Sequence, residues 1–196
     1  MTGVSHSIPV PMNQRYNIPS RYLWSILIAL IVLNIFVGCK ASPDPGLLVE
    51  GGKYSRPLQA LEKEPEAKEQ LFKRWDENTK GKLRSALYWD FLFILLYPTS
   101  NALACFMAGR FLALHKFPFR ISLVIILLQP LAGLFDVTEN LILLKVIDGL
   151  TANVWLTIAR ISTAGKFTLI APGIILPVVG LLTWVYLRLF SSSRTV

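Results

Sequence analysis

Two acidic side chains and one amide lie close together inside an apolar stretch of this chain. Asp136, Glu139 and Asn140 interrupt the hydrophobic run over residues 121–147, and their i, i+3, i+4 spacing puts them on one face of a helix. Ionisable groups at membrane depth cost about 2.5–3.5 kcal/mol each on insertion scales, so their presence indicates a pairing or functional role. This face must contact protein, water or a ligand, because lipid cannot satisfy it.

Three further charged residues are expected at a similar depth on neighbouring helices. Asp90 lies near the start of another apolar segment, and Arg160 and Lys166 precede the last one. The acids and bases nearly cancel, as expected where buried ions must pair. The candidate intramembrane polar cluster therefore has six members: Asp90, Asp136, Glu139, Asn140, Arg160 and Lys166.

Three kinds of chemistry fit this cluster. It can be an ion-paired clasp between helices, a site for a ligand, lipid headgroup or cation, or a pair of carboxylates for acid–base catalysis. The sequence names no catalytic residue, because no His, reactive Cys or Ser–base pair is available at that depth. It also contains no metal-type cysteine spacing, P-loop or dinucleotide fingerprint, so no metal site and no cofactor is predicted.

Four long apolar segments supply the helices that must position the cluster. The mean hydropathy is +0.50 and only 16% of residues are charged, against roughly 25% in a soluble domain. A bilayer-spanning helix needs about 20 apolar residues, and a soluble bundle would need polar faces that these runs lack. We predict an all-α integral membrane protein with four transmembrane helices. The apolar segments are 22–38, 86–108, 121–147 and 167–189.

The long stretch between the first two spans is predicted to be an extracytoplasmic loop that contains a short amphipathic helix over 65–78. Pro65 suits the first helical position, and the helix rests on the membrane or the bundle, or docks a protein partner. The amphipathic residues 153–166 are predicted to lie along the outer surface. The predicted parts are a disordered cytoplasmic tail (1–20), transmembrane helix 1 (21–38), the loop (39–85), and a three-helix transmembrane core with a short cytoplasmic tail (86–196).

Basic residues outside the apolar segments predict the orientation. Lysine and arginine collect in cytoplasmic loops and at lipid headgroups. The N-terminal tail, the connection between the second and third segments, and the C-terminal tail carry basic residues and no acids. We therefore expect a cell-membrane protein with both termini in the cytoplasm. Its net charge of +8 is ascribed to contact with the lipid bilayer, and nucleic acid is not an expected partner.

Cys39 closes the first apolar segment and is open to three interpretations. Phe36-Val37-Gly38-Cys39 resembles a bacterial lipobox, in which the cysteine is lipidated and the upstream peptide is removed. Phe36 departs from the usual Leu, and the apolar run is long for a signal peptide. A retained first helix is therefore favoured over lipidation and over cleavage near Ala41. Cys105 is expected at the opposite membrane face, so the two cysteines are not expected to pair.

Polar and small residues form stripes on the second and third helices, and these stripes are predicted to face each other. Prolines inside the last three spans free backbone carbonyls that need partners in lipid, either at ordinary kinks or in broken helices that line a cavity. The stripes are Asp90, Tyr97, Asn101 and Ala108 on the second helix, and Gln129, Gly133, Asp136 and Asn140 on the third.

Two short motifs carry a resemblance. Tyr88-Trp89-Asp90-Phe91 and Asp136-Val137-Thr138-Glu139-Asn140-Leu141, followed by Arg160 and Lys166, are similar to small four-helix bacterial membrane proteins of unassigned function. The resemblance covers about residues 86–189. It implies the four-helix fold and a role for the acidic cluster, but it implies no activity.

The sequence favours a non-enzymatic multi-pass membrane protein that acts as a binding or structural component. The alternative is a small transporter or lipid-handling protein that uses the acidic cluster as a ligand or cation site. An enzyme is the least favoured of these interpretations, because the cluster offers no nucleophile paired with a base.

Overall fold

Four long helices dominate the computed structural model, which describes residues 20–42, 49–50, 53–54, 76–149 and 152–190. Each helix is long and apolar enough to cross a membrane, which confirms four helices of spanning length. Between the first two helices, two short strands pair antiparallel, with Val49 opposite Tyr54. In chain order the elements are α1 (Ser20–Ala41), β1 (Val49–Glu50), β2 (Lys53–Tyr54), α2 (Glu77–Ala113), α3 (Phe119–Ile147) and α4 (Asn153–Phe190).

Helix α2 begins at Glu77, nine residues before the start at 86 that hydropathy predicts. Asp76 caps it by accepting a hydrogen bond from the backbone N–H of Thr79 at 2.8 Å. Hydrogen bonds from Thr79 also hold the pKa of Asp76 below its usual value. Helix α1 ends at Ala41, so both helices continue for some residues beyond the apolar segments that hydropathy defines. The division of the chain into a loop over 39–85 and its neighbouring parts stays a prediction.

The separate amphipathic helix predicted over 65–78 is not supported. Its last two residues, Glu77 and Asn78, form the first turn of α2, and Asp76 is the cap. Residues 65–75 lie outside the described residues, as do the predicted tails at 1–19 and 191–196. The protein partner predicted for this segment stays a prediction.

Helix α4 is continuous from Asn153, so the predicted surface segment over 153–166 is wrong. Leu156 and Ala159 of this stretch are buried in an apolar cluster with Ile142 and Val146 of α3. The apolar residues of the stretch therefore pack against a neighbouring helix. This packing explains why the stretch forms the first turns of α4 and not a separate surface segment.

Helices α2, α3 and α4 pack against one another as a three-helix core, and α1 packs against α2. The amide of Asn34 on α1 donates to the hydroxyl of Ser100 on α2 at 3.1 Å. Two residues further along α1, the rings of Phe36 and Trp89 on α2 are nearly perpendicular, with 6.5 Å between centroids. The site-bearing helices are thus the three of the core, with α1 at their side.

The intramembrane prolines all lie inside continuous helices, so the broken-helix alternative is not supported. Pro177 has no N–H to donate to the carbonyl of Gly173, and the thiol of Cys105 on α2 donates to that oxygen at 3.2 Å instead. The buried amide of Gln129 also donates across the core, to the carbonyl of Leu169 at 3.3 Å. Side chains of neighbouring helices therefore satisfy backbone groups in the core.

Candidate functional site: an intramembrane charged cluster

The centre of the site is one lysine held between two carboxylates. Lys166 on α4 donates from Nζ to Oδ1 of Asp136 on α3 at 2.6 Å. The same Nζ lies 2.8 Å from Oε2 of Glu139, as an ion pair without hydrogen-bond geometry. All three are largely buried, with side-chain exposures of 12%, 6% and 10% in that order. A single cation from α4 therefore neutralises charge on two adjacent turns of α3.

The helical spacing on α3 explains why one cation serves two acids. Asp136 and Glu139 are separated by three residues, so their side chains leave the same face of the helix. Beside them, Gly165 allows α3 and α4 to approach closely, since an added Cβ would lie 3.2 Å from the ring of Phe135. This close packing next to Lys166 brings its ammonium within reach of both carboxylates.

A second polar contact ties α2 to α3 at the same level. Asn140 on α3 donates from Nδ2 to Oδ2 of Asp90 on α2 at 2.7 Å. Further along the same pair of helices, Asn101 donates to Gln129 at 3.4 Å. The two predicted stripes therefore face each other, and Asp90 joins the cluster through a neutral amide.

Arg160 occupies a different position from the other predicted members. It is exposed, and it precedes Lys166 on α4 by six residues, so the two side chains point about a third of a turn apart. Lys166 is the cation that contacts both Asp136 and Glu139. The structure therefore brings five of the six predicted residues together.

Tyr97 belongs to this site, although it was not among the predicted cluster. Its side chain is buried, and its hydroxyl has no hydrogen-bond partner among the described residues. The carboxylate of Asp136 lies close to this hydroxyl. The signal was present in the sequence, since Tyr97 follows Asp90 by seven residues on the same stripe. The sequence pattern places this tyrosine on the face of α2 that packs against α3.

The formal charges of the site do not balance. Three carboxylates, those of Asp90, Asp136 and Glu139, face one ammonium from Lys166. In the described part of the chain, no group of three His, Cys, Asp or Glu side chains is arranged to hold a metal ion. The arrangement can pair ions, bind a small cationic species or hold protons. Its composition contains neither a thiol nor an imidazole for nucleophilic catalysis.

A cavity of about 330 Å³ lies at the end of the bundle, away from the centre of the cluster. Arg84 on α2 bridges Asp148, which follows α3, with 2.7 Å between Nη2 and Oδ1. This pair is much more exposed than the buried one, at 36% and 55%. The cavity lining is Glu77, Lys80, Arg84, Ile147, Asp148 and Gly149.

The two cysteines are far apart in the sequence and have different surroundings. Cys39 is exposed in the last turn of α1, and Cys105 is buried in the core; neither forms a disulfide. Lipidation of Cys39 stays a prediction, which the intact mass of the membrane-extracted protein would test.

Comparisons of the chain with protein-family models, with curated proteins and with solved structures give no match. Its function is therefore argued from the geometry and chemistry of the cluster.

Proposed function

We propose that the protein is a non-enzymatic, multi-pass membrane component in which the charged cluster holds the three core helices in register. The contact of Lys166 with Asp136 and Glu139 is the observation that carries this proposal. It joins α4 to α3, and the hydrogen bond from Asn140 to Asp90 extends the connection to α2. One polar level thus touches every helix of the core.

Burial makes such a clasp specific. Ions in a low-dielectric interior are costly unless they are paired, so sliding one helix by a turn would leave charges without partners. Apolar helix faces alone define register weakly in lipid, because lipid tails are as apolar as the side chains they replace. The cluster supplies the register that the exposed Leu, Ile and Val side chains of these helices do not.

A charge-neutralising series tests the clasp. Lys166→Gln leaves two buried carboxylates without their cation, and we expect a marked fall in melting temperature in detergent. We expect rescue to require three changes, because Lys166 contacts two acids. Asp136→Asn, Glu139→Gln and Lys166→Gln together leave no lone charge at this contact, so the triple variant should recover much of the loss.

Lys145→Gln is the matched control, since this lysine lies on an exposed position of α3. It should melt like the wild type. A Lys166→Gln variant that also melts like the wild type would contradict the clasp. So would a triple variant that is less stable than the single one.

The charge excess favours a second candidate, a small transporter or lipid-handling protein that uses the acidic side chains as a cation or headgroup site. Its support is that three carboxylates face only one ammonium. The mass of the detergent-solubilised protein, with identification of co-purifying lipids and proteins, separates the two. A monomer that retains one lipid species favours lipid handling, and a stable complex with another protein favours the structural component.

The same proposal includes a location in the cell membrane with both termini in the cytoplasm. It rests on the basic residues at the α2–α3 connection, among them Lys116 and Arg120, which are exposed. Reporter fusions at Gly51 and Lys116 should report opposite sides of the membrane. If both reported the same side, this orientation would be rejected.

A further inference from the structure

The negative charge left over in the cluster must be neutralised by something. With Lys166 contacting Asp136 and Glu139, the three carboxylates and one ammonium carry a formal charge of −2. A buried carboxylate without a cation is so unfavourable that it usually takes up a proton instead. Because no metal-binding group is present in the described residues, the species that fits this site best is the hydrogen ion.

The contacts indicate which carboxylate takes the proton. Lys166 contacts Asp136 and Glu139, whereas the hydrogen-bond partner of Asp90 is the neutral amide of Asn140. Among the described residues, no lysine or arginine nitrogen lies within 4.0 Å of Asp90. Asn140 donates to Oδ2, so Oδ1 can carry a hydrogen. Asp90 is also less buried than the other two acids, so its carboxylate is the most accessible of the three.

Tyr97 is an independent sign that a small species binds here. Its hydroxyl is buried on the same helix as Asp90 and faces Asp136, but it forms no hydrogen bond of normal geometry among the described residues. A buried hydroxyl without a hydrogen bond of normal geometry destabilises the fold, so its presence here points to a small species that completes the hydrogen bond. A hydroxyl both donates and accepts, and at this position it can stabilise a proton or the water that delivers it.

We propose that the charged cluster is a proton-binding site in which Asp90 holds one exchangeable proton at neutral pH. An oxygen of the carboxylate accepts the proton from hydronium and forms an O–H bond; no group is oxidised or reduced. This proposal goes beyond the clasp, since it concerns the acid that Lys166 does not pair.

Every packed element contributes its charged groups to this balance. Helix α2 supplies Asp90 and Tyr97, α3 supplies Asp136 and Glu139, and α4 supplies Lys166. Helix α1 packs beside α2, and its two charged residues are Arg21 and Lys40, both exposed at its ends. No second buried cation therefore comes from the described helix beside Asp90.

Infrared spectroscopy of the full chain in nanodiscs tests the proton directly. At pH 7 the wild type should show the C=O stretching band of a protonated carboxyl group, which shifts in deuterium oxide. Labelling of aspartate with carbon-13 should shift the same band. Asp90→Asn should lack it, and Asp148→Asn, which changes an exposed acid, should retain it. Raising the pH should remove the band reversibly.

Two results would overturn the proposal. One is the absence of a protonated carboxyl band at pH 7. The other is a band that carbon-13 aspartate leaves in place, which would put the proton on Glu139. A band that persists in Asp90→Asn would overturn the proposal as well. If Asp90→Asn does not fold, Asp136→Asn with the same label decides the question, because the band should persist in that variant. The clasp is judged separately, because its test reads melting temperature in variants of Lys166 and its two acids.

Discussion

Among the described residues, two ion pairs have nearly the same length and very different surroundings. Lys166 and Asp136 approach to 2.6 Å inside the core, and Arg84 and Asp148 approach to 2.7 Å at the end of the bundle. The side chains of the first pair are 12% and 6% exposed, and those of the second are 36% and 55% exposed. The comparison shows that distance alone does not determine how much an ion pair stabilises the fold. Solvent screens the exposed pair and not the buried one.

The largest effect is expected where the buried pair is broken from one side. Asp136→Ala should lower the free energy of unfolding by about 3 kcal/mol, at the lower end of the range for a buried pair because Glu139 still faces Lys166. Reversible unfolding in mixed micelles measures it. A loss no larger than that of an exposed acid would mean that water reaches the cluster.

A part of the core without charges calibrates that figure. An added Cβ at Gly109 would lie 2.5 Å from the Cβ of Ser122, so Gly109→Ala should cost about 1–3 kcal/mol through overpacking. Gly81→Ala is the matched control, because no heavy atom lies within 4 Å of its added Cβ. That control should gain about 0.5–1 kcal/mol from the better helix propensity of alanine. Equal effects at both glycines would rule out close α2–α3 contact here.

A smaller effect is expected from the neutral hydrogen bond of Cys105. Cys105→Ala removes the donor to the Gly173 carbonyl and should cost about 0.5–1.5 kcal/mol, while Cys105→Ser keeps a donor and should cost less. Adding Pro177→Ala restores a backbone N–H for that carbonyl. The alanine change at Cys105 should then be milder. If the effects of the two changes are independent, the thiol does not donate a hydrogen bond to this carbonyl.

The smallest effect is expected at the exposed pair. Asp148→Asn should leave the melting temperature unchanged at physiological salt, because solvent and ions screen the Arg84 contact. Repeating the Asp136→Ala and Asp148→Asn measurements at low salt sharpens the contrast, because the exposed pair is screened less there. Only the exposed pair should respond to salt, and a salt-dependent loss in Asp136→Ala would place both pairs in the same environment.

Much of this arrangement could be predicted from residue spacing. The hydropathy of the chain predicts four helices of spanning length, and the polar stripes place Asn140 opposite Asp90. The i, i+3 spacing of Asp136 and Glu139 contained the further information that one cation could reach both. The sequence indicates two basic residues for the cluster, Lys166 and Arg160, because sequence alone does not give the rotation of α4 against α3.

The helix ends were the part that sequence could not give. Glu77 and Asn153 start helices in polar stretches, where capping and packing decide the boundary and hydropathy carries no information. The hairpin of β1 and β2 was also missed, although Gly51 and Gly52 between the strands are a recognised turn signal. The unsatisfied hydroxyl of Tyr97 depends on exact distances, which spacing does not contain.

The lengths of α2 and α4 make the protein sensitive to membrane thickness. With 37 and 38 residues they extend about 55 Å, against a hydrocarbon layer of about 30 Å. Both begin on the same side of the bundle, so we expect their polar first turns to extend beyond the lipid tails there. The apolar part of α4 starts at Phe167, directly after Lys166. We expect a bilayer thicker by one helical turn, about 5.4 Å, to bury this lysine and its carboxylates more deeply, and a thinner one to bring them closer to water.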